Sequence, residues 1–286
     1  GMGAGGKLVL AAMVVGGAAY AWWHWRGTPV QEQPPATAVA AAVEPTAPAL
    51  PAAEPAPQES MVSPPPAIEP APDAQGNPPL AAEDGAALEQ AVTAWLGRER
   101  SLRFVASQGL AQRIVATIDN LPRSQAPTRM WPLHPVGGRM QVLQTDDGGM
   151  VIAAENAARY EDMVRFVVGL DVDQAVVLYR NIYPVLQHAY EALGFPGQRF
   201  NDRLVAVVDH LLQTPEPAGA VALTVVQVQG KAAASKPLQP WLRYEFADAE
   251  LQALSAGQKI LVRMGVGHMQ RIKAQLRALR AHLAPK

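Results

Sequence analysis

A mainly α-helical domain with two short antiparallel β-hairpins (α+β) is the fold this sequence predicts. It is expected at the end of an N-terminal transmembrane helix and a disordered Pro/Ala-rich linker. Three observations predict it. After residue 83, apolar side chains recur mostly at steps of three and four, the period of a helix with one buried face. Short alternating runs appear only near 140–152 and 222–246, around glycine-containing connections. Before residue 83 there is one long apolar run and then a stretch dense in proline. The expected organisation is a membrane anchor over 1–26, a linker rich in Pro, Ala and Glu over 27–82, and a globular helical domain over 83–286.

The 18 residues from Leu8 to Trp25 are almost wholly apolar. As a helix they would rise roughly 27 Å at about 1.5 Å each, enough to cross a bilayer core. Trp22, Trp23 and Trp25 would sit at one interface. Lys7 and Arg26 flank the run on opposite sides, so charge does not orient it. The alternative is a cleaved signal peptide with Ala19-Tyr20-Ala21 at its cleavage site. Both readings export the domain.

From Gly27 to about Ala82, proline and alanine dominate and too little apolar surface is present to fold. As polyproline II this spacer would reach on the order of 170 Å, and as a coil about 40 Å.

In the globular part, Asp84 is a cap for a helix whose face is Leu88, Val92, Trp95 and Leu96, with Gly97 as its stop. A second helix covers Leu110 to Leu121. Asp146-Asp147-Gly148 between Met140–Gln144 and Met150–Ile152 signals a hairpin. Helical period returns over Asn156–Val168. Asp171 or Asp173 then caps a helix running to Leu193, bent by Pro184 near the Arg180 carbonyl. Gly194-Phe195-Pro196-Gly197 is a stop and turn before a helix over Phe200–Leu212. Ala222–Gln229 and Trp241–Phe246 read as the second antiparallel pair. Asp248 caps a helix through Met264, Gly265-Val266-Gly267 breaks it, and the last helix runs from His268 to Leu283.

Three phrases resemble one family in order and spacing: Tyr179 to Phe200, Asn201 to Pro215, and Tyr244 to Met264, with Arg159-Tyr160 as a further match. The chain is similar to domain-of-unknown-function family 3014. That family occurs in bacterial proteins with one N-terminal membrane helix and a proline-rich linker. The resemblance implies a bacterial cell-envelope setting: an inner-membrane, single-pass protein with its C-terminal domain in the periplasm. It implies no activity and no catalytic residue.

Composition narrows the chemistry. With no cysteine, thiol nucleophiles, disulfides and Cys-based metal sites are excluded. Nine acidic residues and no Lys or Arg lie between Gly27 and Gly97, whereas 22 basic and 16 acidic residues follow from Arg98. This modest excess favours an anionic partner and falls short of a nucleic-acid footprint.

Ser255 and Lys259 stand four apart rather than in the three-residue step of Ser-x-x-Lys hydrolases. Gly265 to Gln270 lacks the third glycine of a dinucleotide fingerprint and follows a helix. His188 with Glu191, and Asp209 with His210, are too few acids for a di-metal site. A Ser-His-Asp arrangement remains open to geometry. No catalytic residue, metal or cofactor is assigned.

The candidate binding residues are Tyr179, Tyr183, Tyr190, Arg199, Asp202 and Arg203. Guanidinium groups beside phenols suit a carboxylate or phosphate. The same residues can equally be core tyrosines and helix-end ion pairs. Lys273, Arg277 and Arg280 form a basic stripe on the final helix, either a solvated face or a surface for anionic lipid or an acidic partner.

The expected function is an envelope-anchored binding or scaffolding module that meets an envelope protein, or an anionic envelope polymer or lipid. A hydrolase acting on such a polymer is the alternative. Nucleic acid is not an expected partner, and the oligomeric state is left open.

Overall fold

Helix α1 (Gly85–Leu96) starts where Asp84 accepts the Ala87 N–H at 2.8 Å. It buries Leu88, Val92 and Leu96. The computed structural model of the chain describes residues 68–226 and 244–284. Gly97, at φ 81°, ends α1 and at once starts α2 (Arg98–Phe104), so the expected stop is a corner between two helices. Helix α3 (Leu110–Asn120) follows. An extended stretch then returns to pair Val105 with Leu133.

A hairpin of β1 (Val142–Gln144) and β2 (Met150–Ile152) leads through a 3-10 segment, Ala154–Tyr160, into α4 (Glu161–Val168). Helix α5 (Val172–Ala192) is capped by Asp171, which accepts the Gln174 N–H at 3.1 Å, and carries Pro184 in its interior. Helix α6 (Phe200–Leu212) completes a helical hairpin with it.

The remaining elements are β3 (Ala222–Val225), β4 (Tyr244–Phe246), α7 (Ala249–Ala253), α8 (Ala256–Met264) and α9 (Val266–Leu283). The single helix expected from Asp248 to Met264 is two. Ser255 forms a capping box with Gln258 and restarts the chain as α8. The final helix begins at Val266, so Gly267 lies inside it rather than in a break.

Helix α5 packs on α3, and α9 lies against α4, α5, α6 and α8. Ile182 and Leu186 share this core with Ile114, Val115 and Ile118 from α3, Leu204, Val207 and Leu211 from α6, and Met269, Ile272 and Leu276 from α9. Each such side chain contributes about 1.5–3 kcal/mol when fully buried.

The helix α8 comes close enough to α3 and α6 to require glycine at 257. Its N–H donates to Leu121 O at 2.9 Å. An added Cβ would meet Leu211 Cδ2 at 2.8 Å and Leu121 O at 3.1 Å.

The fold class is corrected in its β part and its membrane part. The two expected hairpins are one four-stranded antiparallel sheet in the order β1-β2-β3-β4. Met150 pairs with Leu223 and joins the two halves. Each pair alone would expose a row of backbone donors and acceptors, and the pairing of β2 with β3 satisfies them. The outer parts of the second pair, 227–243, lie outside the described residues.

The single-pass inner-membrane topology, with its transmembrane signal-anchor and periplasmic domain, is corrected as well. No helix among the described residues is long and apolar enough to cross a membrane. The segment 8–25 itself lies outside the described residues, as do 27–67 of the linker. Residues 68–82, expected as linker, are laid against α5, with Ile68 and Leu80 packed on the core.

Candidate functional site

The α5–α6 hairpin carries the six candidate binding residues. Tyr179, buried completely, donates to Asn201 Oδ1 at 3.1 Å. Asn201 in turn donates to Leu283 O at 3.1 Å. Tyr183 donates to Gln187 Oε1 at 3.0 Å, and its hydroxyl oxygen faces the Asn201 N–H at 3.4 Å. The Tyr179 and Tyr183 rings meet edge to face at 5.5 Å. Tyr190 stacks on Phe195 at 4.7 Å and tilts against Phe200.

Burial raises all three phenol pKa values, that of Tyr179 furthest, with the charge of Asp202 adding to the effect at Tyr179 and Tyr183. Protonated phenols of this kind serve as hydrogen-bond donors.

Gln187 fastens this region, although sequence reasoning did not single it out. Its Oε1 accepts the Phe200 N–H at 2.8 Å, and its Nε2 donates to Gln198 O at 2.7 Å. The signal was its place on the same face as Tyr183 and Tyr190, but its partners are main-chain atoms of a turn.

Arg199 pairs with Asp202 at 2.7 Å on the first turn of α6. Arg203 reaches Asp119 of α3 instead, with Nε to Oδ1 at 3.0 Å and a second bond to the Asp119 carbonyl at 2.7 Å. Arg123 takes the other carboxylate oxygen at 2.7 Å. The structure therefore brings the tyrosines together, but the hydroxyls of Tyr179 and Tyr183 and the charges of Arg199, Asp202 and Arg203 are engaged by the protein itself.

Two of the three residues in the basic stripe on α9, Lys273 and Arg280, are paired with carboxylates from other elements. Lys273 is buried and donates to Thr214 O at 2.5 Å and Glu216 at 2.9 Å. The Lys273 and Gln270 hydrogen bonds hold the Glu216 carboxyl below its ordinary range. Arg280 pairs with Asp209 at 2.8 Å. Arg277 is exposed.

Residues weighed for catalysis do not converge. Glu191 accepts from Gln187, Asp202 pairs with Arg199, Asp209 is turned to Arg280, and His188 is exposed. His210 Nε2 does lie 2.8 Å from Ser255 Oγ, a contact between α6 and α8. Ser255 Oγ also accepts the Gln258 N–H at 3.2 Å as the cap of α8, and Gln258 Nε2 donates back to His210 O at 3.3 Å. That closed ring ties two helices together.

Desolvation, then the nearby charge of Arg203, lowers the His210 pKa. No three His, Asp or Glu side chains among the described residues form a group that could hold a metal ion. The expected envelope-anchored binding or scaffolding module and its hydrolase alternative are thus corrected to a mostly helical domain, given the absence of a membrane-spanning helix among the described residues and this scatter.

A different place combines charge, apolar surface and space. Between α2 and α4 lies an open cleft of about 420 Å³, lined by Glu99, Arg100, Arg103, Phe104, Arg165 and Phe166. Asp162 and Gly169 complete its wall. Phe104 and Phe166 stack with centroids 4.4 Å apart and planes within 13°. The Arg103 guanidinium lies 5.0 Å from the Phe104 centroid and bonds Asp162 at 2.6 Å. Arg165 shares Asp162 at 3.8 Å and Glu161 at 3.3 Å. Arg100 has no hydrogen-bond or ion-pair partner among the described residues, and Leu102 beside it is 70% exposed.

Sequence reasoning missed this cleft because Gly97 reads as a stop, which hides α2. Its visible signal was Arg98, Arg100 and Arg103 within one short run.

No curated protein and no solved structure matches the chain. The family described as "Protein of unknown function (DUF3014)" matches residues 110–280, which include α3, the α5–α6 hairpin, α8 and most of α9. The phrases around Tyr179–Phe200 and Tyr244–Met264 fall inside that match, and the chain belongs to this DUF3014 family.

Proposed function

We propose that the domain docks an acidic segment of a partner protein in the cleft between α2 and α4. The observation that carries the reading is the set of three arginines around a partly buried, stacked phenylalanine pair that lines the cleft. A guanidinium takes a carboxylate in a two-point, planar contact. The rings and Leu102 supply an apolar seat for a neighbouring side chain, the mixture found at interface anchors.

The existing ion pairs are no obstacle. The side chains of Arg103 and Asp162 are 60% and 61% exposed, so their pair is worth about 0–1 kcal/mol and exchanges cheaply for an incoming carboxylate. Asp162 also serves two arginines, so either of them can turn to an incoming carboxylate while the other keeps it.

A fluorescein-labelled peptide alternating Glu with Leu and Phe is the probe. Its anisotropy should rise on addition of the full chain, and the rise should weaken as salt screens the charges. The R100A/R103A/R165A chain should bind at least tenfold more weakly. Equal binding by that variant, or no binding by the natural chain, would remove the cleft as the site. Binding to vesicles containing phosphatidylserine, without binding to the peptide, would replace the protein partner with a lipid one.

A further inference from the structure

Pro184 has no N–H, so the Arg180 carbonyl four residues earlier in α5 lacks its helical donor. The missing donor comes from outside the helix. Ala71 N–H donates to Arg180 O at 3.3 Å, and Leu80 N–H donates to the next carbonyl, Asn181 O, at 3.0 Å. In the other direction, Arg180 Nε donates to Glu69 O at 2.8 Å. The buried Asn181 side-chain amide faces Pro78 O at 3.0 Å, Asn77 O at 3.3 Å and Ala71 O at 3.4 Å.

Residues 68–82 thus form a strap of two extended arms around a small loop. Asp73 holds that loop by accepting the Gln75 and Asn77 N–H groups at 2.9 and 2.8 Å.

Two properties of this strap matter together. Every hydrogen bond that fixes it to α5 uses a strap main-chain atom. Recognition of this kind reads an extended backbone, and prolines keep the segment extended in advance. The strap is also shallow. Its apolar anchors are Ile68 near one end and Leu80 near the other, both only partly buried, while most residues between them are exposed. Elements with few buried apolar contacts open locally without unfolding the domain. Opening leaves on α5 the Arg180 carbonyl that lacks its helical donor, together with the Asn181 carbonyl and side-chain amide, all pointing at the vacated groove.

We propose that the groove along α5 beside Pro184 is a second binding site, for an extended, proline-containing peptide of a partner, and that residues 68–82 occupy it in cis as a resident competitor. This site does not depend on the α2–α4 cleft. The strap is covalently attached, so its effective concentration keeps the groove filled until the strap is drawn away or outcompeted.

The probe is a labelled peptide with the sequence of residues 68–82. The full chain carrying Ile68→Asp and Leu80→Asp, which releases the strap, should bind it saturably and at least tenfold more tightly than the unaltered chain. Adding Asn181→Ala to the released chain should weaken binding at least tenfold, while R100A/R103A/R165A should leave it unchanged. Absence of binding to a released chain with a native circular dichroism spectrum overturns the proposal. Should the double variant fail to fold, the Leu80→Asp chain is read in the same way. In the unaltered chain, the Ala71 and Leu80 amides should exchange with deuterium at least a hundredfold faster than those of Ile182 and Leu186. Equal protection would show that the strap opens only with the whole domain and would also overturn the proposal.

Discussion

Replacing Asp119 by alanine should be the most damaging single change among the α3–α6 ion pairs. The Asp119 side chain is 6% exposed and joins Arg203 and Arg123. Removing one member of a buried pair costs about 3–5 kcal/mol when the other is left uncompensated in the interior. Two features reduce that figure here. The Arg203 side chain is 29% exposed and can gain water, and its bond to the Asp119 main-chain carbonyl survives the substitution. Arg123 is 54% exposed, in the range where an ion pair is worth about 0–1 kcal/mol.

The expected losses are therefore about 2 kcal/mol for D119A, about 1–2 kcal/mol for R203A, and under about 0.5 kcal/mol for R123A. Urea unfolding followed by far-UV circular dichroism measures each, with the slope checked for constancy. A double-mutant cycle on Asp119 and Arg203 should give a coupling of about 1 kcal/mol. A coupling near zero, or R123A matching R203A, would refute the assignment of the load to the Arg203 side of the network.

Other outcomes follow from single contacts. Gly257→Ala gains about 1 kcal/mol of helix propensity but forces a methyl against buried Leu211 and a main-chain carbonyl. The net should be a loss of about 1–2 kcal/mol by thermal unfolding, reduced in an L211A background. The folded-state pKa of His210 is depressed, so the folded state binds fewer protons than the unfolded chain once pH falls below the ordinary value of 6.5. Its stability contribution is full above that value and is lost as pH drops through the lower folded pKa. H210Q should flatten this part of the stability–pH curve, and an unchanged curve would count against burial of a neutral ring.

Much of the helical framework was legible because its signals are local. Asp84, Asp171 and Asp248 cap the helices that their positions announce. Pro184 and the Gly194–Gly197 turn set the α5–α6 hairpin. What remained hidden depends on partners far along the chain. The basic stripe of α9 looks free until Glu216 and Asp209 arrive from other elements. Residues 68–82 read as linker by composition, because their order rests on Asn181 and on the Arg180 carbonyl, freed by a proline more than a hundred positions away. The cleft was hidden for the same reason: Phe104 and Phe166 meet only after α2 and α4 pack.

The pairing of Met150 with Leu223 has a kinetic consequence. Everything from α4 to α6 lies between these two residues, so joining β2 to β3 closes a loop that contains a block of helices. Closing so long a loop in an unstructured chain is entropically costly, and the short strands return little until neighbouring ones are in place. Folding should accordingly assemble the α3–α5–α6 block first and zip the sheet last. Substitutions at the β2–β3 seam should mainly speed unfolding, whereas those at Ile182 or Leu186 should slow folding.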